Sequence, residues 1–163
     1  ETVWGSVSVY RGDWRSWYGS STRDSYAATV QRSWIFGVRR MNPLEVIGSA
    51  HDYAQTHGTD PWHGLMHTLL VQLRGHPDIP LEVREALDVA EKYWGGHSGS
   101  RDDLAHAKAS VWDYLRGLPA GEDAVTTSGR LARAVLCVLE PDGDDETISM
   151  SAEWFVAMVG GTR

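Results

Sequence analysis

At 163 residues, 42% hydrophobic and 23% charged, the chain has the make-up of one ordinary globular domain with a single core. No apolar run approaches the roughly 18 residues that span a bilayer, and no basic-then-apolar leader opens the sequence. The single Cys137 excludes an internal disulfide framework, which fits a reducing cytosol and equally a secreted protein without bridges; a soluble, cytoplasmic protein is the expectation.

The net charge of −7 is unevenly divided. Residues 1–41 carry six Arg against Glu1, Asp13 and Asp24, whereas residues 42–163 carry nine basic and nineteen acidic side chains. The two parts should attract, which predicts a basic, aromatic-rich N-terminal segment packed on an acidic body. Arg beside Trp also suits single-stranded nucleic acid, but the overall acidity argues against that partner.

Residues 1–23 read as irregular. Val3, Val7 and Val9 alternate, but Gly5, Gly12, Gly19 and Ser20–Ser21 break any long element. Trp4, Tyr10, Trp14 and Trp17 are too many large rings for a disordered tail, which makes Trp14 and Trp17 candidate binding residues. The tripeptide Arg11-Gly12-Asp13 is a coincidence of composition.

Ser25 can cap a first helix with Tyr26, Val30, Trp34 and Val38 on one face and Arg39–Arg40 at its C-terminus. A punctuated series follows. Asn42 and Pro43 open a helix with Val46, Ile47, Ala50 and Ala54 inward, stopped at His57-Gly58. Asp60 and Pro61 open the next, with Trp62, Met66, Leu69 and Leu73 on one side and Gly75 at the end. Pro80 starts a helix whose Val83, Ala86, Leu87, Ala90, Tyr93 and Trp94 share a face, with Arg84/Asp88 and Asp88/Lys92 as outer charge pairs and Gly95–Gly96 as the stop. Ser100 with Asp103 resembles a capping pair before Leu104, Ala107, Val111, Tyr114 and Leu115. After a loop containing Gly and Pro, Leu131, Ala134, Val135, Val138 and Leu139 form a further helix ending at Pro141-Asp-Gly, and Ser149 caps a last one with Trp154, Phe155, Met158 and Val159. The helix starts share no residue signature that would mark a repeat.

Short loops between such helices predict an all-α fold: an irregular bundle, or a short stack of antiparallel helical hairpins, with the N-terminal segment packed on it. One domain over residues 1–163 is expected, its helical body spanning 25–163.

Four of the seven His fall within His51–His67, and His63-Gly-Leu-Met-His67 places two imidazoles one helical turn apart, a spacing that lets both reach one metal. The helical wheel sets Arg74 on the same flank, where a divalent ion would want a carboxylate, and Gly64 stands where a zinc-protease helix carries Glu. His63 and His67 are therefore expected at a helix border without a metal, and His57 on the inward side of its helix near the C-terminal carbonyls. No cofactor is expected. Cys137 lies in the apolar stretch Leu136-Cys-Val-Leu139, and no Gly-x-Ser-x-Gly or phosphate-cradling Gly loop is present. Asp142-Gly-Asp-Asp-Glu146 lacks the alternating acids and closing Glu of a calcium loop.

Four fragments carry a resemblance: Pro80-Leu-Glu-Val-Arg-Glu-Ala-Leu-Asp-Val-Ala-Glu-Lys-Tyr-Trp-Gly-Gly96, Ala107-Lys-Ala-Ser-Val-Trp-Asp-Tyr-Leu115, Arg130-Leu-Ala-Arg-Ala-Val-Leu-Cys-Val-Leu-Glu-Pro141 and Ser151-Ala-Glu-Trp-Phe-Val-Ala-Met158. In order and character they resemble bacterial helical proteins, some of which look like predicted immunity proteins of polymorphic toxin systems. The resemblance implies a small acidic protein that acts by binding another protein, and it supplies no catalytic residues. A non-enzymatic module holding a basic partner is the expected function, with Glu85, Asp88 and Glu91 as candidate docking acids. The alternative is a helical enzyme or small-ligand protein with a pocket near the N-terminal aromatics and His51–His67. A third is a structural or oligomerising module whose exposed rings pack on another copy.

Overall fold

The structure, a computed structural model, describes residues 41–96, 98–119, 121 and 125–160. The Ser25 helix, Trp14, Trp17 and the packing of the N-terminal segment lie outside the described residues. Among the described residues six α-helices follow one another and no strand occurs: α1 (Pro43–His57), α2 (Pro61–Arg74), α3 (Leu81–Gly96), α4 (Arg101–Gly117), α5 (Thr127–Cys137) and α6 (Asp145–Gly160). None of them is long and apolar enough to cross a membrane.

Local chemistry sets the boundaries. The Asn42 side chain accepts from Leu44 N–H at 3.0 Å and the Asp60 carboxylate from His63 N–H at 2.9 Å, each just ahead of a Pro that has no N–H to satisfy. Gly58 ends α1 in the left-handed region at φ 65°, its N–H returning to Ala54 O. Ser100 and Asp103 form a reciprocal capping box at α4, and hydrogen bonds from Ser100 hold the Asp103 carboxyl below the usual carboxylate range.

Two boundaries differ from the sequence expectation. Ser149 does not cap the last helix. Asp144 does so instead, accepting from Thr147 N–H at 2.8 Å, and α6 begins five residues earlier with Asp145 and Glu146 in its first turn. A carboxylate at that point satisfies an orphan N–H and complements the helix dipole, which a serine further on cannot match. At the other junction α5 ends at Cys137, so Val138 and Leu139 are buried beyond the helix rather than within it.

The inward stripes assemble one core. Alpha1 and α2 form the most extensive helix pair, α3 with α4 and α5 with α6 form two more, and α2 also touches α3, α5 and α6. Alpha5 is enclosed: Leu131, Ala132, Ala134 and Val135 are wholly buried, and even Arg133 is 5% exposed. A helix of 11 residues buried on nearly every side needs small residues to admit its neighbours, and Gly129, Ala132 and Ala134 serve that need. The closest approach lies between α1 and α2, where a Cβ on Gly64 would stand 2.2 Å from the Ala50 carbonyl oxygen. Ile47, Tyr93, Tyr114, Trp154 and Val159, all expected inward, are only half-buried, because each lies at the margin of its stripe.

Candidate functional site

Tyr53 and His57 lie one turn apart on α1, and His63 and His67 one turn apart on α2, so each helix presents a pair of rings on one flank. The close α1–α2 approach brings the pairs together. The Tyr53 ring lies 4.0 Å from the His57 imidazole at an interplanar angle of 19°, and 3.9 Å from the His67 imidazole at 15°. Two rings that close and that nearly parallel cannot share one face, so Tyr53 is sandwiched between them. His63 lies further off, near-parallel to Tyr53 at 6.4 Å, and meets Trp94 edge-on at 5.4 Å.

His57 is exposed, contrary to its expected inward placement. Its Nδ1 sits 3.0 Å from the Tyr53 carbonyl oxygen, where Nδ1–H donates, and this bond to the last turn of α1 holds the ring against the outer face of Tyr53. His63 and His67 are half-buried. Burial first, and then the neighbouring His57 and His63, lower the pKa of His67 below the ordinary histidine value. Arg74, expected to share their flank, instead hydrogen-bonds Asp88 at 2.8 Å and pairs with Glu91 on α3. Among the described residues no three His, Cys, Asp or Glu side chains are grouped to hold a metal ion.

Next to the rings, two indoles fasten the α5–α6 junction. Trp94 donates its Nε1–H to Val138 O at 2.8 Å, and Trp62 donates to Glu140 O at 3.2 Å, occupying carbonyls at and beyond the end of α5. Gly143 lies against the Trp62 ring, where a Cβ would come within 2.2 Å of it. Lys108 binds the Glu140 carboxylate, and Arg101 grips Asp142 with two hydrogen bonds of 2.8 and 2.7 Å. With Asp142 and Asp144 so engaged, the acidic run is a fastened helix entrance, and Asp145 and Glu146 project from it exposed.

The candidate docking acids divide. Glu85 is exposed, while Asp88 and Glu91, also exposed, are both met by Arg74. The expected Arg84/Asp88 pair is replaced: Arg84 Nε–H donates to Ile79 O at 3.3 Å, and Asp88 turns to α2. A solvent-open groove at this place is lined by Arg74, Asp88, Glu91, Lys92, Gly95, Gly96 and Ser98. Sequence reasoning missed Tyr53 as the centre of the ring cluster; its signal was the Tyr53/His57 spacing facing His63/His67.

Cys137 is buried in α5, its Sγ–H directed at Arg133 O, and burial pushes its thiol pKa well up. A thiol reagent is therefore expected to label Cys137 only in denaturant. Stoichiometric labelling of the native protein within minutes at pH 8 would contradict its burial.

Comparison of the chain with family models, with curated proteins and with solved structures returned no match.

Proposed function

We infer that the protein is a non-enzymatic binding module whose acidic helical surface holds a basic protein partner, in the manner of an immunity protein neutralising a toxin. The observation that carries this reading is the outer ridge of α3. Glu82, Glu85, Asp88 and Glu91, three residues apart, follow one ridge of the helix, all exposed, and Arg74 meets Asp88 and Glu91 from α2. Four carboxylates on a fixed helix create a negative field that steers a cationic surface toward them and loses little freedom on docking.

The alternative, a small-ligand or catalytic pocket around His51–His67, is less well supported, since both faces of Tyr53 are already covered by imidazoles. The N-terminal part of that pocket lies outside the described residues.

The ridge can be tested without disturbing Arg74. Glu82→Gln with Glu85→Gln should slow association with the partner several-fold at low salt and leave stability within about 0.5 kcal/mol. Asp88→Asn with Glu91→Gln releases Arg74 into the same surface and should weaken association further. The product of the neighbouring gene is the first partner to co-express. Equal association rates for all variants across a range of salt would remove the ridge as the docking surface.

A further inference from the structure

We propose that Tyr53, His57, His63 and His67 form a proton-operated latch between α1 and α2: with neutral imidazoles the last turn of α1 is held on α2, and protonation of more than one imidazole releases it.

The geometry makes successive protons unequal. A single imidazolium on either side of Tyr53 is tolerated, because a cation over an aromatic face is attracted to it and His57 also lies beside the C-terminal carbonyls of α1. A second charge on the opposite face would be held within a few ångströms of the first by the stack itself. His63, one turn from His67, extends the conflict.

Among the described residues, the charges that act on His67 are those of His57 and His63, both of the same sign as its own. Several acids of the surrounding elements have partners of their own, and Asp52, Glu82, Glu85, Asp145, Glu146 and Glu153 are exposed to solvent. On α3, Asp88 and Glu91 are turned to Arg74, and the nearest α3 rings to the cluster are Trp94 and Tyr93. Asp60, at the head of α2, is occupied by the His63 N–H. At the α5–α6 junction, Glu140 is bound by Lys108 and Asp142 by Arg101, and no charged group of α5 or α6 acts on the His67 imidazole.

The element that gives way is also defined. Gly64 against Ala50 is a backbone contact without ionisable atoms, so the middle of the α1–α2 pair is indifferent to pH. Tyr53 and His57 bracket the final turn of α1, which ends at the Gly58 cap, where few backbone hydrogen bonds must break for the turn to leave α2. The sign follows from His67: its folded pKa lies below the unfolded value, so its contribution to the closed state is complete above about pH 6.5 and is lost as pH falls through the lower folded value.

Hydrogen exchange of the full chain between pH 7.5 and 5.5, corrected for intrinsic exchange, tests this. The opening constant for residues 53–59 should rise by up to about tenfold per pH unit for each proton taken up, while that for α5 stays unchanged. His67→Phe keeps a flat ring on Tyr53 but takes no proton, and should flatten the response. An equal opening constant at both pH values, or an undiminished rise in His67→Phe, would overturn the latch. If His67→Phe does not fold, titration of the wild-type imidazole resonances decides. Coupled curves, with the His67 midpoint lowered, support the latch, and three independent curves refute it.

Discussion

Replacing Trp94 by alanine is expected to lower stability by about 3–5 kcal/mol, the usual cost of deleting a large buried ring. Trp94 is 6% exposed, and its loss removes two things at once. The apolar ring leaves a void among the helices it fills, and Val138 O loses the indole N–H that satisfied it at 2.8 Å. The two parts can be separated. Trp94→Phe retains most of the ring but no donor, so it should fall between wild type and alanine, roughly 1–3 kcal/mol below wild type. Denaturant midpoints at constant slope provide the measurement, and a loss under about 1 kcal/mol for Trp94→Ala would show that the ring does not hold the α5–α6 junction.

A methyl group on Gly64 should also be damaging, although alanine is intrinsically the better helix former. The added Cβ would stand 2.2 Å from Ala50 O, 3.1 Å from its carbonyl carbon and 3.2 Å from Ala54 Cβ. The first two are backbone atoms that no rotamer change can move, so α1 must shift off α2. A net loss of about 1–3 kcal/mol is expected for Gly64→Ala, with the gain of about 1 kcal/mol in helix propensity already offset. Gly48 provides the control. It lies within α1, where an added methyl would meet nothing within 4 Å, so Gly48→Ala should stabilise by up to about 1 kcal/mol. Thermal melts that move in the same direction for both variants would contradict the closeness of the helix pair at Gly64. Gly64→Ala also bears on the proton latch, since moving α1 away would draw Tyr53 and His57 off His67.

The helices were legible in the sequence because their determinants are local. Asn42, Asp60 and Ser100 act on N–H groups two or three residues away, and Gly58 on the turn it closes, so neighbouring residues carry the whole signal. Ser149 misled for a related reason. The first turn of α6 is polar, Asp145-Glu146-Thr147, and an apolar run read from Ile148 onward suggests a cap too late. The buried faces of α2, α3 and α4 likewise follow from spacing, since an apolar stripe can leave water only by turning inward.

What the tertiary structure alone decided involves partners distant in the chain. Trp62 and Glu140 are 78 residues apart, and Trp94 and Val138 are 44 apart; nothing local tells an indole which orphan carbonyl it will meet. Arg74 shares a helical flank with His63 and His67 on paper, yet the packing of α2 on α3 hands it to Asp88 and Glu91, since a long side chain goes to the nearest opposite charge. The ring cluster shows both halves of the division. Its two i,i+4 pairs were written in the sequence, because helical pitch fixes which residues share a flank. Their stacking around Tyr53 required α1 and α2 to meet at Gly64 with almost no space between backbones, and that distance is set by the packing of the whole core rather than by any neighbouring residue.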